Sequence, residues 1–239
     1  MSGVRRQGDS DHACRVDFDG PLDFLTSWER RSGGGEWVFY LDEARHMRPV
    51  REVSLRLPTV KQRVRLKGDA APSPCGRLAV TVRPDESLGW SALAAYGELC
   101  RAIVREIEGA RRAPDGSPLP VPLPRLSPAP GDAGAYRARF ASVLAFLNSW
   151  GRDMCLCGLT ASAPASLPDG PFPLLLRAPP GAQDFRIDAR LRRREGEVVV
   201  LDIRPEPWVL AALEARAGLC LTLWGQLSRG LTSSVDPAA

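Results

Sequence analysis

The chain has 239 residues, 44% of them hydrophobic, which suits one large domain or two small ones with an ordinary core. Its formal net charge of +4 excludes a histone-like polycation, so any basic surface must be local. The first twenty residues are polar and charged and lack the apolar segment of a secretory signal. No apolar run approaches the length of about 18 residues that spans a bilayer. We therefore expect a reduced, cytosolic protein without a membrane segment.

The first third of the chain is predicted to be mostly strands. Residues 1–15 are polar and predicted to be flexible. A helical piece follows at 21–31, in which Leu22, Leu25 and Trp28 share a face. Alternation and aromatic content then predict strands at 37–42, 52–57, 61–67 and 77–83.

The middle of the chain alternates between helical patterns and proline-rich segments. Residues 87–108 carry an apolar stripe at helical spacing, which predicts a long amphipathic helix. Residues 113–134 contain seven prolines among small and polar neighbours, which indicates a mobile or polyproline-like loop. Residues 135–150 return to helical periodicity. A second proline-rich loop at 164–173 precedes predicted strands at 174–177, 184–192 and 197–204, the last two forming a hairpin.

Together these elements predict an α+β protein, an OB-fold-like antiparallel β-barrel or sheet with packed amphipathic helices. Near the end, 207–217 is predicted to be a helix, and 219–227 suits a strand or a helix. We expect a single OB-like domain over 16–227, interrupted by the proline-rich loop 113–134. A flexible tail follows at 228–239.

Three segments alternate strictly between aliphatic and basic side chains, with almost no acid among them. They are KQRVRLK (61–67), RLAVTVR (77–83) and FRIDARLR (185–192). Successive side chains of a strand point to opposite faces, so each segment has one buried and one basic face. The candidate nucleic-acid-binding cations are Arg63, Arg65, Lys67, Arg77, Arg83, Arg186 and Arg190. Alternatively, these cations are only solvated charges on the outer surface of the sheet. The binding interpretation requires that the three distant segments share one face.

Aromatic side chains lie next to these basic strands. Trp37, Phe39 and Tyr40 occupy the neighbouring predicted strand, and aromatic rings that stack on bases are the second component of single-strand binding. Core packing is the alternative, since at least one face of this strand must be buried. We expect one or two of the three rings to be available for stacking.

The residues that suggest catalysis are few. The segment VDFDGPL (16–22) is similar to the nucleophile loop of haloacid-dehalogenase phosphatases, in which two aspartates act beside magnesium, here Asp17 and Asp19. The preceding DHACR is not the apolar strand that this motif needs, and Pro21 replaces the expected Thr or Ser. No G-x-S-x-G or Walker loop is present. We therefore predict a protein that is not an enzyme and needs no cofactor.

Zinc is the remaining ligand that the sequence suggests. His12, Cys14, Cys155 and Cys157 together could supply four zinc ligands, but the two residues of each pair are separated by only one residue, and structural zinc pairs usually leave two or more. Buried or surface thiols are the alternative, and we predict no metal site.

The order and character of the elements resemble those of the poxvirus single-stranded DNA-binding phosphoprotein family over most of the chain. The stretches that carry the resemblance are GPLDFLTSW (20–28), the aromatic strand at 37–41, EVSLRLP (52–58), GRLAVTV (76–82), LAAYGELCR (93–101), PFPLLLR (171–177) and FRIDARLRRREGEVV (185–199). This resemblance implies an OB-fold-like viral replication protein that coats unwound DNA at cytoplasmic replication sites of the host. Its partners would be single-stranded DNA and viral replication proteins.

Two other functions remain as alternatives. In the first, the chain is a viral interaction or host-antagonist domain whose proline-rich loop 113–134 binds a partner, while the arginines serve solubility. In the second, Asp17 and Asp19 form the centre of a magnesium-dependent phosphatase.

Overall fold

A computed structural model describes residues 13–30, 35–41, 51–61, 63–73, 77–85, 88–111, 121–179 and 184–233. The chain divides into two compact units, where the sequence predicts a single domain over 16–227. Unit 1 contains the described residues up to Arg101 and those from Gly225 onward, and unit 2 contains Ala102–Trp224. The protein is α+β, as predicted, with a five-stranded sheet in unit 1 and a closed barrel in unit 2.

Unit 1 is built on a sheet with the strand order β1-β3-β4-β5-β2. Its elements are β1 (Ala13–Asp17), α1 (Pro21–Glu29), β2 (Trp37–Leu41), β3 (Glu52–Arg56), β4 (Arg63–Pro72), β5 (Leu78–Val82) and the first part of α2 (Leu88–Arg111). β1 pairs in parallel with β3, and the other neighbours are antiparallel. The four strands and the two helices predicted in this part of the sequence are thereby confirmed.

β4 connects the two halves of this sheet. Residues 63–67 pair with β3, and residues 68–72 pair with β5. Gly68 lies where the partner changes, and a Cβ at this position would come 2.5 Å from Cγ2 of Val53 and 3.1 Å from the carbonyl oxygen of Thr81. Only glycine fits this crossover without displacing a neighbouring strand.

Aromatic rings fill the core of unit 1. Phe18 stacks on Trp37 with ring centroids 5.7 Å apart, and Phe24 contacts Trp28, Trp37 and Tyr96. Helix α1 contributes Phe24 and Trp28 because positions four apart share one helical face. In α2, a Cβ at Gly97 would come 2.4 Å from Nε1 of Trp28. The helices therefore cover one side of the sheet at close approach.

Unit 2 is built on a closed six-stranded barrel with the order β10-β11-β8-β6-β7-β9. Its elements after α2 are β6 (Arg125–Pro128), β7 (Tyr136–Arg139), α3 (Val143–Arg152), a 3-10 turn (Met154–Leu156), β8 (Gly158–Ser162), β9 (Pro171–Arg177), β10 (Phe185–Glu195), β11 (Val198–Arg204) and the part of α4 (Pro207–Ser233) up to Trp224. β6 pairs in parallel with β8, and β7 with β9.

Alternating side chains fill the barrel. In β9, Phe172, Leu174 and Leu176 are buried while the residues between them are partly exposed. The same core includes Phe146 of α3 and Val209 of α4. The interior is thus a packed core, as expected for a barrel of this strand number.

Two predictions for the middle of the chain are wrong. Residues 136–139 form β7 rather than the start of a helix, because Tyr136 and Ala138 alternate into the barrel core. The second half of the proline-rich stretch is also ordered, since 121–134 contains β6 and a turn. That turn is closed by the hydrogen bond that Ala129 N–H donates to the carbonyl oxygen of Ala135 at 2.9 Å. The first half, residues 113–120, lies outside the described residues.

The predicted hairpin is confirmed at β10 and β11, with Gly196 at a φ of 62° in the turn. The strand register shifts between Leu191 and Arg193, so Arg192 is an extra residue on β10. Both Arg192 and Arg193 are exposed as a result of this bulge.

Residues 219–227 belong to the long helix α4, which resolves the choice between strand and helix. Within the described residues, one helix, Pro207–Thr232, is long and apolar enough to cross a membrane by length and composition. Its mean hydropathy over a window of 18 residues is 1.2. The sequence predicts no apolar run of that length. Val209, Leu213 and Ala217 of this helix belong to the core of unit 2, whereas Leu221 is exposed.

Candidate nucleic-acid interface

The candidate interface is the side of the unit 1 sheet opposite α1 and α2, which we call the outer sheet face. Residues paired across neighbouring strands share a side of the sheet. On this basis the face consists of Arg15 and Asp17 of β1, Glu52, Ser54 and Arg56 of β3, Arg63, Arg65, Lys67, Asp69 and Ala71 of β4, Ala79 and Thr81 of β5, and Val38 and Tyr40 of β2. Its exposed members include Arg65 and Asp69, whose side chains are 77% and 75% exposed.

The half of this face on β1, β3 and β4 is basic. Its cations are Arg15, Arg56, Arg63, Arg65 and Lys67, and its acids are Asp17 and Glu52. Positions two apart on a strand lie about 6.6 Å from each other, so the three cations of β4 form a ladder along the strand. A linear polyanion is the ligand that such a ladder can neutralise.

Most cations of this half have little local neutralisation. Arg15, Arg56 and Lys67 form no ion pair within the described part of the chain. Arg65 Nε lies 3.7 Å from Glu52 Oε1, a contact between two exposed side chains that contributes little in water. These side chains are therefore available to an external anion.

Arg63 differs from the other cations because it binds within the protein. Its Nη2 donates to both carboxylate oxygens of Asp17, at 2.9 and 3.2 Å, and its Nη1 donates to the carbonyl oxygen of Ser54 at 3.3 Å. Its side chain is only 30% exposed. Arg63 thus ties β4 across β3 to the end of β1, and an acidic substitution there would also disturb the sheet.

The other half of the face is an open platform around an exposed ring. Tyr40 is 49% exposed and lies opposite Ala79, which in turn lies opposite Ala71 of β4. Because the two alanines have short side chains, the ring of Tyr40 stands beside a shallow surface. An unpaired base can reach such a ring and stack on it.

The structure places the other two candidate aromatic residues differently. Trp37 is fully buried in the core of unit 1, and its Nε1 donates to the carbonyl oxygen of Ser27 at 3.0 Å. The prediction that Trp37 could stack on a base is therefore wrong, because the side of β2 that carries it faces the helices. Phe39 pairs with Val80 in the sheet, and its side chain lies outside the described residues.

The cations around β5 are a mixed group. Arg77 precedes β5 and is exposed. Arg83 follows β5, and its Nε donates to Glu36 Oε1 at 2.9 Å while its Nη1 lies 3.6 Å from Asp69. Both flank the platform of Tyr40, one at each end of β5.

Arg186 and Arg190 lie on the outside of the barrel of unit 2. Arg186 Nη1 donates to the carboxylate of Asp132 in the turn between β6 and β7. Arg190 is exposed, lies opposite Asp202 of β11, and forms no ion pair among the described residues. The three alternating segments therefore do not lie on one continuous sheet, because 61–67 and 77–83 belong to unit 1 and 185–192 to unit 2.

A carboxylate on the barrel neutralises two further arginines. Asp184 accepts hydrogen bonds from Arg177 at 2.7 and 3.0 Å, and Arg137 Nη2 lies 2.9 Å from its Oδ2. The hydrogen bonds from Arg177 lower the pKa of the Asp184 carboxyl against the opposing effect of desolvation, and the charge of Arg137 lowers it further. The cluster holds the ends of β7 and β9 to the residue before β10.

Two cations of the outer sheet face, Arg15 and Arg56, are absent from the sequence-based set of candidates. Both occur in short alternating segments, CRVD and VSLRL, that carry the same signal as the longer basic strands. Each contains a single arginine, so neither forms a basic run. The parallel pairing of β1 with β3, which brings them onto one face, cannot be read from the alternation.

The residues proposed for a phosphatase have other roles. The carboxylate of Asp17 is held by Arg63, and β1 is an edge strand of a largely antiparallel sheet. Asp19 is exposed in the loop that follows. An aspartate bound by a guanidinium is a weaker nucleophile than a free one, so this geometry gives the phosphatase no support.

The cysteines divide into buried and exposed groups. Cys14, Cys100 and Cys220 are buried, and burial raises the pKa of the Cys100 thiol to about 12 and that of Cys220 to about 11. Such thiols are unreactive. Cys155 and Cys157 are exposed on unit 2, whereas Cys14 belongs to unit 1. Within the described ranges, no three His, Cys, Asp or Glu residues are grouped to hold a metal ion.

Comparisons with known proteins identify no relative of this chain. No family model, no curated protein and no solved structure matches the chain.

Proposed function

We propose that the protein binds single-stranded DNA without sequence preference on the outer sheet face of unit 1. The observation that carries the proposal is the continuity of this face along β4, which runs in unbroken register from Arg65 and Lys67 to Ala71 beside the platform of Tyr40. Cations that neutralise phosphates and an exposed ring that stacks on a base are the two components of sequence-independent single-strand binding.

The platform favours a single strand over a duplex. The faces of bases in a duplex are covered by their neighbours, so the ring of Tyr40 can stack only on an unpaired base. The cations contact phosphates, which are the same for every sequence. Binding of this kind needs no cofactor and no catalytic group.

The resemblance to the poxvirus single-stranded DNA-binding phosphoproteins supports a biological setting for this activity. As part of the proposal, the protein coats unwound viral DNA in the host cytoplasm and meets viral replication proteins there. The barrel of unit 2 is then the OB-like part of the chain, a class of barrel that binds single strands in other proteins.

Salt dependence of binding is the first test. If about five phosphates are neutralised, the logarithm of the affinity should fall against the logarithm of salt concentration with a slope of about −3.5. The measurement is fluorescence anisotropy with a labelled oligo-dT, with a duplex of equal length as the control. A flat salt response, or equal affinity for the duplex, would contradict the proposal.

The interaction-domain alternative can be separated from DNA binding by a deletion. Residues 121–134 belong to the barrel of unit 2, so a deletion must be limited to 113–120 to leave β6 in place. We expect this variant to bind oligo-dT like the wild type. Loss of DNA binding on this deletion would move the activity from the outer sheet face to the proline-rich segment.

A further inference from the structure

A cavity of about 380 Å³ opens at the end of the outer sheet face. Its polar lining comes from the end of β1 and the loop after it, from the end of β3 and the loop between β3 and β4, and from the last turns of α4. These side chains are Asp17, Asp19, Arg56, Thr59, Lys61 and Gln226. Asp17 and Arg56 also belong to the outer sheet face, so the cavity and the face are continuous.

The loop between β3 and β4 gives the cavity a fixed wall. Tyr96 of α2 donates its hydroxyl hydrogen to the carbonyl oxygen of Pro58 at 2.8 Å, and Val60 N–H donates to Leu57 O at 3.1 Å. Thr59 has a φ of 68°, a left-handed conformation that few non-glycine residues adopt. A loop held in this way need not be ordered by a ligand, which lowers the cost of binding.

The charges in the cavity are only partly matched. Arg63 neutralises Asp17 from outside the lining, whereas Arg56 and Lys61 have no carboxylate partner among the described residues. Asp19 likewise has no cationic partner there. With respect to the described residues, the cavity therefore offers two cations and one carboxylate without an ion-pair partner.

Gln226 adds an unmatched neutral group. Its Oε1 is buried and accepts no hydrogen bond within the described part of the chain. A buried acceptor without a donor is destabilising, so a ligand that supplies an N–H would recover a stabilising interaction. Asp19 is a second acceptor for the same kind of group.

We propose that this cavity holds one nucleotide of the bound single strand, an inference that rests on the proposed function. The phosphate lies between Arg56 and Lys61, and the base enters the cavity and donates an N–H group to Gln226 Oε1. The volume lies within the range of about 300–1,000 Å³ that is usual for small-ligand sites. Every base carries at least one such donor, so the site accepts a nucleotide without selecting a sequence.

The two lysines of the chain provide a matched pair of variants. Lys61 lines the cavity, and Lys67 lies on the outer sheet face away from it. Thymidine 5′-monophosphate is the probe for the cavity alone, and oligo-dT is the probe for the whole surface. We expect Lys61→Ala and Gln226→Leu to weaken binding of the mononucleotide about tenfold. Lys67→Ala should weaken binding of oligo-dT but not binding of the mononucleotide.

The side-chain amide signal of Gln226 in an NMR titration reports entry into the cavity directly. It should shift with thymidine monophosphate and much less with inorganic phosphate or with the analogue methylated at N3, which lacks the donor. Gln226→Leu removes the unmatched acceptor, so its thermal midpoint should equal or exceed that of the wild type.

Failure of the cavity and failure of the DNA-binding proposal give different results. Salt-dependent oligo-dT binding that is unaffected by Lys61→Ala and Gln226→Leu, with no shift of the Gln226 signal, would overturn the cavity assignment and leave the outer sheet face in place. Absence of oligo-dT binding by the wild type would remove the proposed function, and with it this inference.

Discussion

The outer sheet face of unit 1 and the outer surface of the barrel of unit 2 are built from the same kind of sequence, strands in which aliphatic and arginine side chains alternate. On the barrel, Asp184 and Asp132 neutralise Arg137, Arg177 and Arg186, although Arg190 forms no ion pair among the described residues. On the sheet, Arg56 and Lys67 have no such partner among the described residues. An alternating basic strand thus becomes a neutral or a cationic surface according to the carboxylates that the fold brings beside it.

Strand β2 carries two kinds of aromatic residue, one buried and one exposed. Trp37 and Tyr40 are three residues apart on β2, so they point to opposite sides of the sheet. One ring stabilises unit 1 and the other lies on its surface. This difference predicts that mutations at the two positions affect different measurements.

The largest expected effect is on the stability of unit 1. Trp37→Ala removes a fully buried ring that stacks on Phe18, and we expect a loss of about 3–5 kcal/mol in the free energy of unfolding. Chemical denaturation followed by circular dichroism measures it. A loss below about 1 kcal/mol would show that the ring is not part of the core.

A smaller effect on stability is expected from the neutralised cluster of the barrel. Asp184→Asn leaves Arg177 and Arg137 without their carboxylate, and we expect a loss of about 2 kcal/mol at pH 7. The folded state lowers the pKa of Asp184, so its stabilising contribution is fully present above the ordinary carboxyl pKa of about 3.9 and declines as the pH falls through the folded-state pKa.

Urea unfolding of the wild type and the Asp184→Asn variant at pH 7, 5 and 3 tests this dependence. The difference between the two proteins should be constant from pH 7 to 5 and smaller at pH 3. A difference that grows toward low pH would mean that the folded state raises the pKa of this carboxyl instead.

An effect on binding rather than stability is expected at Tyr40. Tyr40→Ala should weaken oligo-dT binding about tenfold, because stacking on one base contributes about 1–3 kcal/mol. Stability should change by less than about 0.5 kcal/mol, since the ring is half exposed. Trp208 of unit 2, with 59% of its surface exposed, provides the control. Trp208→Ala should leave the affinity unchanged, and equal losses at both positions would remove the distinction between the units.

Periodicity predicted the elements whose alternation or helical stripe is long. The helix α2 and the β10–β11 hairpin are examples, because each is specified by local spacing. The division into two units was not predicted, since α2 and α4 each contribute residues to both units and no linker composition marks the boundary. Helical periodicity continues across both boundaries.

Residues 121–134 show why composition misled the prediction. Prolines suggested an unstructured loop, yet Leu126 is buried in the barrel core. β6 meets β8 at a single residue pair, Arg125 with Ser162, so its prolines remove few ladder hydrogen bonds. Long-range pairing of this kind has no local signature in the sequence.

The candidate site was predicted in its chemistry but not in its arrangement. Arg65, Lys67 and Tyr40 were identified from alternation and aromatic content, and they do share one face. Arg63 was assigned to the same role, but in the folded protein it binds Asp17, a carboxylate that is 46 residues away in sequence. Charge neutralisation depends on tertiary contacts, which periodicity does not describe.

The most direct test compares two double variants that each reverse two charges. Arg65→Glu with Lys67→Glu alters the outer sheet face, and Arg186→Glu with Arg190→Glu alters the barrel. In anisotropy titrations with oligo-dT, the sheet variant should bind at least about tenfold more weakly than the wild type, with a salt slope shallower by about 1.4, while the barrel variant stays near wild type. Equal losses in both variants, or a larger loss in the barrel variant, would contradict the assignment of the interface to unit 1.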